Sequence, residues 1–128
     1  MKTLRVWNAT RNDCVADRVR LADTWWTRLR GMLGSPEPAP GEGMLLEPCQ
    51  SVHMYWMKYA LDVAFLAPDG RVVEAYHGLG PSKRSRWHRE ADRALELRAG
   101  TLAETGTQVG DRLEMISTAD ATERQTHA

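Results

Sequence analysis

Apolar and polar positions alternate near the start of the chain. From Cys14 to Leu21, Val15, Val19 and Leu21 share one face while Arg18 and Arg20 point the other way, the pattern of a half-buried strand. Leu4–Val6 with Trp7 is a shorter strand before it. Asn8 to Asp13 (NATRND) is rich in turn formers, so the two read as a hairpin. From Trp25 the period changes. Trp25, Leu29, Met32 and Leu33 fall on one helical stripe, with Asp23 or Thr24 as N-cap. Gly31 weakens this helix and Gly34 ends it. Ser35 to Gly43 (SPEPAPGEG) is a loop set by its prolines and glycines.

The central part is more apolar. Gly43 to Glu47 is a short buried strand that Pro48 breaks. Ser51 to Met57 reads as a strand with Ser51, His53, Tyr55 and Met57 on one face and Val52, Met54 and Trp56 on the other. Leu61 to Leu66 (LDVAFL) is almost continuously apolar, so both its faces should be covered. Pro68-Asp69-Gly70 turns the chain into the return strand Arg71–Tyr76, a second hairpin. His77 to Asp92 is a long polar loop and Ala94–Leu97 a strand. Thr101-Leu102-Ala103-Glu104 matches a capping box, and Gly106 stops the single turn it opens. Gly110-Asp111 leads into a last strand, Arg112–Ile116. Ser117 to Ala128 is polar and aperiodic and reads as a disordered tail.

These elements predict a mainly β domain over residues 1–116. It is a β-sandwich or partly closed barrel of about seven or eight short strands, with one amphipathic helix packed on it. At 128 residues the chain buries enough surface to fold without a disulfide or metal. Lys+Arg and Asp+Glu both number 17, which argues against a general nucleic-acid binder. The start carries no secretory h-region and nothing approaches a membrane span, so a cytoplasmic location is expected, with Cys14 and Cys49 as free thiols.

Candidate chemistry gathers in Ser51–Gly70. Asp62 lies inside an apolar strand, where a carboxylate must be paired, hydrogen-bonded or protonated. It is either a general acid–base or a structural acceptor of backbone N–H groups. His53 has Tyr55, Trp56, Met57 and Lys58 close by in sequence, the walls and cation of a ligand site. Strand register does not bring His53 and Asp62 together as a dyad. Cys49 stands near His53, but Pro48 disturbs the geometry a thiol nucleophile needs. Cys49, His53, His77 and His88 lack the tight spacing of a structural zinc site, Met54 and Met57 read as core, and no metal or other cofactor is expected. Lys83, Arg84, Arg86 and Arg89 form a basic loop around Trp87, partly cancelled by Glu90 and Asp92.

The ordered set Leu21-Ala-Asp-Thr, Arg28-Leu-Arg-Gly-Met-Leu33, Gly43-Met-Leu, Trp56-Met57-Lys58, Leu61-Asp62-Val63 with Phe65, Asp69-Gly70-Arg71-Val72-Val73, Leu95-Glu96-Leu97 with Ala99-Gly100, and Gly110-Asp111 resembles a bacterial and archaeal family. That family is catalogued as domain of unknown function 192, and the resemblance spans roughly Val19 to Met115. It implies a sandwich-like β domain with the helix packed against it, and no established reaction. Tyr59-Ala60 replaces the Asn-Thr pair usual there, and the Pro that normally precedes the Leu-Asp is missing. The expectation is a non-catalytic module with a pocket beside Ser51–Asp62 for a small polar or anionic ligand. An enzyme using His53 and Asp62, or an interaction module working through a sheet edge, are the alternatives.

Overall fold

All six residues of Leu61–Leu66 are buried, and the sheet is laid out around that strand. In the computed structural model, which describes residues 2–118, the strands are β1 (Thr3–Asn8), β2 (Asp13–Ala22), β3 (Glu42–Leu46), β4 (Leu61–Leu66), β5 (Val72–Leu79), β6 (Arg93–Arg98) and β7 (Leu113–Ser117). They form one sheet in the order β5-β4-β6-β3-β2-β1-β7, antiparallel except for the parallel β2–β3 pair, and curled into a half-barrel. Both expected hairpins are present, β1–β2 and β4–β5. Two short helices complete the fold, α1 (Trp25–Arg30) and α2 (Thr101–Glu104). No helix among the described residues is long and apolar enough to cross a membrane. The tail expected at 117–128 begins inside β7 with Ser117, and residues 119–128 lie outside the described residues.

The curl brings the two outer strands together at their starts. Arg71 and Arg112 form an isolated antiparallel bridge. Around it Val72 N–H donates to Asp111 O at 2.8 Å, Gly110 N–H to Val72 O at 2.8 Å, and Leu113 N–H to Gly70 O at 2.9 Å. Gly70 has φ +89°, and a Cβ there would run into the Leu113 carbonyl oxygen, so only glycine fits this junction.

Strand alternation splits the core in two. Val6, Val19, Leu45, Ala64, Leu66, Val72, Leu95, Leu97 and Leu113 face the inside of the curl, with Leu102 of α2 packed among them. Met44, Leu46, Leu61, Val63, Phe65 and Ala94 face the other way and are covered by Met32, Val52, Met54 and Ala91 from connecting segments. Covered on both faces, β4 reads as a continuous apolar run.

Three expectations are corrected. Ser51–Met57 is not a strand. β5 and β6 occupy both edges of β4, so no edge is left for it. It runs as an irregular segment, with Trp56 at φ +64°, zipped onto residues 82–88. Secondly, α1 ends at Gly31 rather than Gly34, with no buried residue; of its expected apolar stripe Trp25 and Leu29 are 70% and 59% exposed, while Met32, just past the helix, is buried. Its start is as expected: Thr24 and Thr27 cap each other reciprocally. Thirdly, Thr101 does not cap α2. Gly100 occupies the N-cap position without a side-chain cap, and Asp62 takes over from across the fold.

Candidate functional site

Asp62 and Glu96 sit on adjacent strands and face opposite sides of the sheet. The β4–β6 register pairs Asp62 with Leu97 and Val63 with Glu96, so Glu96 shares the face of Val63 and Asp62 the inside of the curl. There Asp62 is fully buried. Its Oδ1 accepts from Gly78 N–H at 2.8 Å, and its Oδ2 from Gly100 N–H at 3.1 Å and Leu102 N–H at 2.9 Å. Three backbone donors satisfy this carboxylate, which fastens the α2 turn and the end of β5 to β4.

Glu96 is buried under different conditions. It stands between Met44 and Val63 on the face roofed by connecting segments. Its Oε1 is shut off from solvent without a hydrogen-bond partner among the described residues. Burial pushes its carboxyl up to about 7, so near neutrality it is divided between acid and carboxylate.

Glu96 lines a cavity of about 570 Å³. One wall is α1 and the turn after it, with Trp25, Arg28, Leu29 and Met32; another is the 48–57 segment, with Cys49, His53, Tyr55 and Met57; Trp87 and Ala91 close a third side. Gly31 comes close to the carboxyl, since a Cβ there would lie 3.4 Å from Glu96 Oε1. Arg28 Nε, on this wall, is a second buried polar atom without a partner among the described residues, although its Nη1 donates to Pro48 O at 3.4 Å. Trp25 and Trp87 stand at the mouth, 70% and 66% exposed. Cys49 Sγ donates to Ser51 O at 3.1 Å, and burial pushes its thiol up to about 11, which leaves a neutral side chain. Cys14 is also a free thiol.

Of the residues singled out in the sequence, His53, Tyr55 and Met57 line this cavity; Trp56, Lys58 and Asp62 do not. The His53 ring stacks on Tyr55 with centroids 4.8 Å apart. The sheet separates His53 from Asp62, whose oxygens are held by backbone N–H groups. Tyr59 ties down the α1–β3 loop: its hydroxyl donates to Ser35 O at 3.0 Å.

The basic loop belongs to the same rim. His53 and Arg84 form an antiparallel bridge, Met54 N–H donates to Lys83 O at 2.7 Å, and Ser85 N–H to Val52 O at 2.9 Å. His88 anchors the loop below, with its Nε2 2.7 Å from the Tyr76 hydroxyl and its ring against Phe65. Of the two acids after the loop, Glu90 lies 3.8 Å from Arg71, and Asp92, which lines the cavity, lies 3.3 Å from Arg93. Lys83, Arg84, Arg86 and Arg89 are exposed and make no ion pair among the described residues. Among those residues, no group of three or more His, Cys, Asp or Glu side chains could hold a metal.

Fold and cavity together define a small curled-sheet β domain with a cavity roofed by the α1 turn and two connecting segments. The chain belongs to the family of domain of unknown function 192, described as "Uncharacterized ACR", whose model matches residues 6–115. Two crystal structures share the fold. A protein of unknown function from Novosphingobium aromaticivorans DSM 12444 is 23% identical, with a TM-score of 0.75 over 88% of this chain and 83% of that one. A protein from Sinorhizobium meliloti 1021, described as "a putative transcription regulator", is 29% identical, with a TM-score of 0.73 over 89% of this chain and 92% of that one. No curated protein matches the chain.

Proposed function

We propose that this protein is a small cytoplasmic, non-catalytic binding module whose ligand seats in the cavity under α1 and reaches Glu96. The observation that carries the reading is the Glu96 carboxyl, which lines about 570 Å³ of space and makes no hydrogen bond among the described residues. A buried polar atom left unpaired costs about 1–3 kcal/mol, a cost that a ligand hydrogen bond recovers. The aromatic mouth adds apolar contact, and the cavity lies within the usual size range of small-molecule sites. A nucleophile–base pair is not part of this reading: the Cys49 thiol is held neutral and Asp62 is bound by backbone N–H groups on the other face of the sheet.

The test is thermal denaturation against a metabolite library with wild type and Glu96→Gln. At one hundred times its Kd a ligand stabilises the fold by about 2.7 kcal/mol, an easily read rise in Tm. The expected result is a hit for wild type that Glu96→Gln weakens or loses. A library with no hit, or hits indifferent to Glu96→Gln, would overturn the reading.

A further inference from the structure

We infer that the cavity takes a phosphorylated nucleobase: the base edge meets Glu96, its ring stacks on the rim indoles, and its phosphate lies on the basic loop. The inference rests on the small-ligand reading above and names the ligand's chemistry. Three features of one rim converge on it.

The first is the floor. An ionised Glu96 accepts two N–H bonds from an amino–imino edge; a protonated one donates to a ring nitrogen and accepts from the amino group beside it. Nucleobase edges offer both patterns, Glu96 lines the cavity, and its carboxyl makes no hydrogen bond among the described residues. The second is the mouth. Trp25 and Trp87 line the cavity yet stand about two thirds exposed, flat apolar surfaces on which a base stacks. The third is charge. The His53–Arg84 bridge puts Arg84 on the same side as His53, which lines the cavity, because opposed residues of an antiparallel pair project to one side. Lys83 and Arg86 are its near neighbours in sequence, and Arg28 and Arg30 line the cavity itself; of the acids, Glu90 lies 3.8 Å from Arg71, and Asp92, also in the lining, lies 3.3 Å from Arg93.

Other ligand classes use only part of this. A simple ammonium would suit Glu96 but not a cavity lined by Arg28 and Arg30 with Arg84 beside it. A neutral sugar would stack on Trp87 and leave the cations idle. A nucleobase with a phosphate uses all three features, whether it arrives as a free nucleotide or as the end of a single strand.

Tryptophan fluorescence and calorimetry should be run on the full chain with the four ribonucleoside monophosphates, their nucleosides, ribose 5-phosphate, inorganic phosphate and a short single-stranded oligoribonucleotide. At least one monophosphate should quench the tryptophans and bind with affinity that falls as salt rises. Its Kd should rise about tenfold in Trp87→Ala, in Arg84→Ala/Arg86→Ala and in Glu96→Gln, since stacking on one base or one charge-assisted hydrogen bond carries about that factor. Binding of the oligonucleotide but not the monophosphates would support the same chemistry with a strand as its source. Equal binding of ribose 5-phosphate or inorganic phosphate would overturn the inference, because the base would then have no role. No binding by any of these probes, alongside a Glu96-dependent hit of another class, would overturn it and leave the small-ligand reading standing. No binding by anything would end both.

Discussion

The Leu102 N–H donates to Asp62 Oδ2 at 2.9 Å, joining α2 to the start of β4 across 40 residues of sequence. Gly100 and Gly78 N–H groups complete the set, so one carboxylate stands in for a helix cap and ties a third segment down as well. Asp62→Asn would set an amide donor against at least one of these N–H groups. A loss of about 3 kcal/mol is expected, with a fall in Tm on the order of 10 °C. Thermal denaturation followed by circular dichroism checks it; an unchanged Tm would mean that Asp62 does not hold the α2 turn.

The junction between β5 and β7 gives a second prediction. Gly70 combines a positive φ with a Cβ direction blocked by the Leu113 carbonyl. Gly70→Ala should therefore destabilise by roughly 3 kcal/mol, because left-handed strain and a backbone clash add. Gly78 also has a positive φ, but a Cβ there would meet nothing within 4 Å. Gly78→Ala should cost only about 1 kcal/mol. Urea titrations of both variants would compare the two, and equal losses would refute the steric part.

Glu96 sets a pH dependence. Its carboxyl is raised in the fold, from 4.5 to about 7, by burial. Below pH 4.5 both folded and unfolded chains hold the proton, and the burial carries no ionic penalty. As pH rises towards 7 the unfolded chain ionises first, so stability falls, levelling off above about 7. The total is on the order of 3 kcal/mol. Glu96→Gln removes this component, so its stability relative to wild type should grow between pH 5 and pH 8. Denaturant unfolding at both pH values measures it, and a constant difference would contradict the assignment.

Burial works against thiolate formation at both cysteines. Burial pushes Cys49 to about 11 and raises Cys14 as well. Thiolate at Cys49 near pH 7 is on the order of one part in 10⁴, so reaction with a disulfide reagent should be at least about tenfold slower in the native than in the denatured protein. A fast native phase that persists in Cys14→Ala would show an activated Cys49 and reopen thiol chemistry at this cavity.

The chain's own patterning carried much of the architecture. The alternation of Cys14–Leu21, the apolar run Leu61–Leu66 and the Pro68-Asp69-Gly70 turn are local signals, and the sheet uses them as they stand. The Ser51–Met57 segment alternates just as well and is not a strand, since pairing depends on a free edge and β4 has none. Glu96 was the residue least legible in advance. Between Leu95 and Leu97 it looks like the solvent side of a half-buried strand. Asp62 drew notice because its whole strand is apolar.

By itself the sequence determined the β class, the two hairpins, the start of α1 and the family. These follow from side-chain periodicity and turn chemistry over a few residues at a time. Tertiary structure alone decided what each carboxylate does, because that depends on what covers each face of the sheet. Inside the curl, backbone N–H groups brought from positions 78, 100 and 102 satisfy Asp62. On the other face, segments from residues 25–33, 48–57 and 87–92 arch over Glu96 and supply no donor to its Oε1, which is why the cavity lies there.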